Sequence, residues 1–179
     1  MPLDHFLHVS NINLAINIIL ILLAFTSFIT DITKKKIYNV QTYPSMALGL
    51  ILGYTAGGGH GILMSFAGLF TGLALLFIIF LSGGIGAGDV KLLGAIGALK
   101  GTVFVLWTMF YTGLIGGIMA FAYIIWKGRL RATLKNVFRF IRHPVQEKPD
   151  EHENSRLYLP YGVAISLGSV WALCTVYKA

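Results

Sequence analysis

Seven carboxylates occur in the 179 residues, and five of them have an ordinary place. Asp4 precedes the first apolar run, and Glu147, Asp150, Glu151 and Glu153 fall in a polar stretch. Asp31 and Asp89 instead stand at the edges of apolar runs. A carboxylate at the bilayer centre costs about 3 kcal/mol on insertion scales, and less near the interface. Singly, each has a plain explanation. Asp31 can pair with Lys34 or Lys35 on a helix surface, and Asp89 can be the N-cap of the run that follows it. As a pair they can do chemistry. Two aspartates brought together cannot both ionise easily, so one pKa rises, the other stays low and the pair shares a proton. Such a pair activates a water as general base and protonates a leaving amine as general acid, which is aspartic proteolysis. Metal binding is the competing use. It wants a third hard ligand, and no His, Glu or Asp sits in a neighbouring run.

The residues before Asp89 fit the same use. Gly86-Ala87-Gly88 gives a backbone free to take positive φ and to let another chain approach closely. An extended substrate can pair with exposed backbone groups there. Lys91, two residues on, either contributes to the site's charge balance or anchors its helix at the headgroups.

The elements that must hold this pair are membrane helices. Hydrophobic residues make up 56% of the chain, charged residues 12%, and mean hydropathy is +0.75. Soluble domains carry about 25% charged residues, so so few charges cannot cover a soluble core. The length suits one domain, 1–179. The single cysteine, Cys174, excludes a disulfide framework and a CxxC zinc module. Six apolar runs follow one another: 12–30, about 40–56 with Pro44 near its start, 62–82, 90–99, 102–126 and 157–177. Gly57-Gly58-Gly59-His60-Gly61 reads as a turn, and the fourth run is too short to cross alone without tilt or local thinning. Gly49/Gly53, Gly68/Gly72 and Gly113/Gly117 read as packing pairs. The expected fold is an all-α polytopic bundle of about six transmembrane helices.

If all six runs cross, the loops at 31–41, 83–91 and 127–156 share one side and hold twelve of the fourteen Lys and Arg residues. The positive-inside rule then puts those loops, and both aspartates, in the cytoplasm, with both termini outside. The excess of base, a net +7, is therefore topogenic charge facing anionic lipid and not a nucleic-acid footprint. Within the basic loop 127–156, Leu130, Leu134, Phe138 and Ile141 alternate with Arg131, Lys135, Arg139 and Arg142 at helical spacing. That pattern predicts an interfacial amphipathic helix, with a partner-docking role as the other use.

Three stretches resemble the type IV prepilin peptidases, membrane aspartic proteases of the GxGD type. Asp31 with Lys34-Lys35-Lys36-Ile37-Tyr38-Asn39 resembles that family's aspartate, basic stretch and Ile-Pro-Asn; Gly86-Ala87-Gly88-Asp89-Val90-Lys91-Leu92 resembles its GxGD-V-K signature; and Leu159-Pro160-Tyr161-Gly162-Val163-Ala164 is similar to a segment opening its last span. The resemblance implies Asp31 and Asp89 as catalytic residues, with Gly86, Gly88, Lys91 and Tyr161 on the substrate side. It implies no metal and no cofactor, and a bacterial inner-membrane location. It also implies cleavage of a short basic leader from a prepilin or pseudopilin precursor, beside membrane lipid and the pilus assembly machinery. Tyr38 stands where the family usually has proline, so the turn after the first span is expected to be built differently. Only about ten residues separate the first two runs, as in short peptidase-only members linked to Flp/Tad-type pili, and no methyltransferase activity is expected. Two other classes stay open: an ion-coupled transporter using the aspartates as a relay, and a non-catalytic scaffold subunit of a pilus or secretion complex.

Overall fold

A computed structural model describes residues 3–126 and 160–176. Among them are five helices: α1 (Leu3–Lys34), α2 (Asn39–Leu81), α3 (Ala87–Lys100), α4 (Thr102–Trp126) and α5 (Tyr161–Val176). Residues 1–115 and 160–179 form one compact unit, and 116–159 a second, described only over the end of α4. The interfacial helix expected within 127–156 lies outside the described residues.

The protein is a multi-pass membrane protein by the make-up of its helices. Ser10–Lys34, Asn39–Leu81 and Thr102–Tyr123 are each long and apolar enough to cross, and α5 is a shorter apolar helix. Six apolar runs appear as five helices because the second and third are one element. The expected turn at 57–61 contracts to two non-helical residues, Gly57 and Gly58, and Gly58 takes φ +57, which favours glycine. The arms of α2 then run back along each other: Ser65 Oγ donates to the Gly49 carbonyl at 3.3 Å, and Gly53 lies against Gly61. A straight helix of 43 residues would be about 65 Å long, twice the hydrocarbon thickness; the reversal leaves arms of about 27 and 35 Å.

The fourth run forms α3, 14 residues and about 21 Å long, too short for a straight crossing of about 30 Å. It is the core of the unit. Every residue from Leu92 to Leu99 is buried, as expected of a helix apolar on all sides. Its small residues permit close approach. Gly97 lies against Gly68, Gly94 and Leu93 against Gly72, and a Cβ on Gly49 would come within 2.6 Å of the Ala98 backbone. Two of the three glycine pairs are therefore packing sites. A Cβ at Gly113 or Gly117 would meet nothing within 4 Å among the described residues.

Helix α1 turns one stripe inward: Ile12, Ile16, Leu20, Leu23, Ser27 and Asp31 are buried at spacings of three and four. Leu14, Ile18, Leu22, Phe25 and Ile29 are exposed on its other sides, where lipid is their natural cover. Lys35 ends the helix with φ +50 and donates its N–H to the Asp31 carbonyl at 3.0 Å. Tyr38 caps α2 with an extended backbone, φ −89 and ψ 142, close to the conformation proline imposes.

Candidate active site

Asp31 lies one turn before the end of α1 and is 3% exposed. A surface partner of Lys34 would be open to water; this carboxyl points into the bundle. Its Oδ2 accepts the Val163 N–H at 3.0 Å. That donor belongs to the first turn of α5, where backbone N–H groups lack helical partners and the helix dipole favours negative charge. The neighbouring Gly162 makes the contact possible. A Cβ there would lie 2.8 Å from Asp31 Oδ2 and 2.8 Å from Ile37 Cδ1, so a larger residue would have to displace those side chains.

Asp89 lies in the first turn of α3 and is partly buried. The cap of α3 is Gly86, not Asp89, because the helix starts three residues earlier than the apolar run. Asp89 takes the third helical position and reaches back: its Oδ2 accepts the Gly86 N–H at 3.1 Å, while its own N–H donates to the Gly86 carbonyl at 3.1 Å. Only the carboxylate half of a capping box is made, since glycine has no side chain to answer it. Asp89 precedes the buried part of α3 and lies outside the candidate spans. Burial pushes its carboxyl up to about 7, the charge of Asp31 adds to the rise, and the Gly86 N–H opposes it. The two carboxyls therefore feel each other, although 58 positions separate them in sequence.

The glycines before Asp89 act differently from the sequence expectation. Gly86 has φ −79, and the left-handed residue in this stretch is Gly83, φ +76. Both backbone groups of Gly86 are engaged in the α3 cap. Gly88 is small because the chain's own Ile37 comes close: a Cβ at Gly88 would meet Ile37 Cβ at 3.0 Å and the Ile37 carbonyl oxygen at 3.2 Å. Lys91 reaches across to the start of α2, where its Nζ donates to Asn39 Oδ1 at 2.9 Å and sits 5.0 Å from the Tyr43 ring centre. It ties α3 to α2 beside the site. Tyr161 opens α5, half-buried, one residue before Gly162.

Residues that sequence reasoning passed over complete the arrangement. Ile37 lies against Gly88 and Gly162, and Gly162 and Val163 lie against the Asp31 carboxyl. The segment holding Gly162 and Val163 stands out in the sequence, but its most chemically conspicuous member, Tyr161, draws attention from the glycine and the N–H behind it. Among the described residues, no group of three or more His, Cys, Asp or Glu side chains forms a set able to hold a metal ion. The arrangement sets a buried carboxyl and a partly buried one within electrostatic reach of each other at one end of the bundle.

Residues 18–121, more than half of the chain and including both aspartates, match the Type IV leader peptidase family. No curated protein and no solved structure matches the chain.

Proposed function

The chain belongs to the type IV leader peptidase family, and from that we propose that it removes the short basic leader from Flp-type prepilins as a membrane-embedded aspartic endopeptidase. Membership itself indicates aspartic peptidase activity on prepilin leaders; the Flp-type substrate and the catalytic roles are our reading. One observation carries it. Two aspartates on different helices converge, and the partly buried one is pushed up to about 7, which suits a general acid at neutral pH. In this reading Asp89 brings the proton and Asp31 is the base. Asp31 takes a proton from water as its oxygen attacks the scissile carbonyl carbon. Asp89 then gives its proton to the leaving amine as the C–N bond breaks. The Val163 N–H supports the charge on Asp31 until it takes that proton.

Gly86, Gly88, Lys91 and Tyr161 are our candidates for substrate contact. The reaction needs no cofactor and no nucleic acid. We assign six crossings: α1, the two arms of α2, the apolar run 90–99 of α3 by tilt or local thinning, α4 and α5. Both termini then lie outside the inner membrane, and the aspartates face the cytoplasm with most of the Lys and Arg residues. Precursor, lipid and the pilus assembly machinery are the partners. Co-expression with a Flp-type prepilin precursor tests the reading. The precursor shortens by its leader with this protein and keeps its size without it. An unshortened precursor beside well-inserted protein would refute the substrate assignment. Reporters at 57–61 reading outside and within 127–156 reading cytoplasmic would support the topology; the reverse would sink it.

A further inference from the structure

We propose that Ile37 is a positioning residue whose side chain, inserted between Gly88 and Gly162, sets the separation of Asp31 and Asp89. The inference rests on the aspartate-pair reading above. Ile37 is the one buried residue between positions 32 and 40, where Ile32 to Lys36 and Asn39 to Val40 are exposed and Tyr38 is half-buried. The left-handed Lys35 ends α1 and turns the chain, and two residues later Ile37 enters the bundle. There its Cβ and carbonyl face Gly88 and its Cδ1 faces Gly162. Gly88 is peptide-bonded to Asp89, and Gly162 sits directly against the Asp31 carboxyl. One side chain thus bears on both halves of the pair. Neither glycine has room for a Cβ without moving Ile37, so side chain and glycines fit as a set.

Isoleucine suits a spacer because branching at Cβ leaves it stiff. Its two ends act on different helices. The Cβ end meets α3, and the Cδ1 end meets α5. Shortening from the far end first loosens the Gly162 side and leaves the Gly88 side in place. Catalytic geometry is sensitive on this scale: a displacement of 1 Å costs about 100-fold in rate. A residue that only fills the core would, when shortened, lower stability and leave turnover of the folded protein unchanged.

The test uses full-length protein purified in detergent and a Flp-type prepilin precursor as substrate. Melting temperature and membrane level are measured beside kcat and KM. Ile37→Val is expected to lower kcat about 10-fold and Ile37→Ala about 100-fold, with KM within about twofold of wild type. Asp31→Asn and Asp89→Asn run in parallel and are expected to be inactive. If both Asn variants are inactive and Ile37→Ala keeps wild-type kcat, the spacer is overturned and the aspartate pair stands. If either well-inserted Asn variant cleaves normally, the pair falls and the spacer with it. Should Ile37→Ala fail to accumulate, Ile37→Val decides: kcat within about twofold of wild type overturns the proposal.

Discussion

Asp31 and Asp89 hold the same functional group by opposite means. Asp89 is positioned by its own turn, through a donor three residues away. Asp31 is positioned by a donor 132 residues away, on a helix that must dock before the contact exists. One half of the site is made by local structure and the other by the packing of α1 against α5. The half built from a distance is the more buried, and it tolerates less change around it.

The largest effect expected on this comparison is also its common ground. Asp31→Asn and Asp89→Asn each retain an oxygen to accept the backbone N–H but lose the titrating proton. Each should insert at normal levels and lose about 10⁴-fold in turnover, and the double variant should be little worse, since the two act as one unit. Precursor cleavage measured beside membrane level checks this; additive losses would break the pair into two independent residues. Gly162→Ala comes next. Its Cβ would press on Asp31 Oδ2 and Ile37 Cδ1, so kcat should fall about 10- to 100-fold, and an unchanged kcat would show that the distant half has slack.

The pair can also be separated by pH. Folding holds a proton on Asp89 up to about pH 7, against 3.8 for an ordinary aspartate. That group's stabilising share is therefore complete at low pH and is lost as pH rises through about 7. Melting temperature of wild type should fall relative to Asp89→Asn across this window. Cleavage, which in the proposed roles needs the proton, should hold up to about pH 7 and decline above it, where folded Asp89 ionises. A melting difference that stays flat from pH 4 to 8 would show that Asp89 releases its proton as easily folded as unfolded. Lys91→Met is a smaller change. It loses the Asn39 bond and the Tyr43 contact, worth about 1 kcal/mol, and should slow cleavage by less than about tenfold. Least of all, Lys35→Gly relieves a left-handed backbone and should be neutral or stabilising by up to about 1 kcal/mol, read as melting temperature.

The two halves were not equally legible in the sequence. Asp89 announces itself, because glycines, a carboxylate and an apolar run stand together and the structure that holds them is local. Asp31 is visible as an unexplained charge, but its inward face is not. Ser27 and Asp31 continue a buried stripe along α1, yet that stripe cannot be picked out where leucines and isoleucines also cover the lipid side. The same uniformity hid the difference between α3 and α4. Both read as apolar runs, and only the run of Gly94, Ala95, Gly97 and Ala98 hints that α3 is enclosed by protein. Reversal within α2 was readable from Gly57 and Gly58, since a left-handed residue in an apolar run has few other uses. Ile37 was readable only as a member of the motif after Asp31, not as a packing residue. An isoleucine after three lysines is unremarkable until two glycines from distant helices close on it.

The bond from Val163 to Asp31 also has a consequence in time. Ribosomes add about 5 to 20 residues per second, so on the order of 10 s passes between synthesis of Asp31 and synthesis of its donor. Through that interval α1, α2 and α3 can already be threaded into the bilayer with both aspartates present, yet α5 does not exist to seat one of them. In the roles proposed above, a half-made chain would lack the contact that seats Asp31 and would gain it only when the late helix arrives.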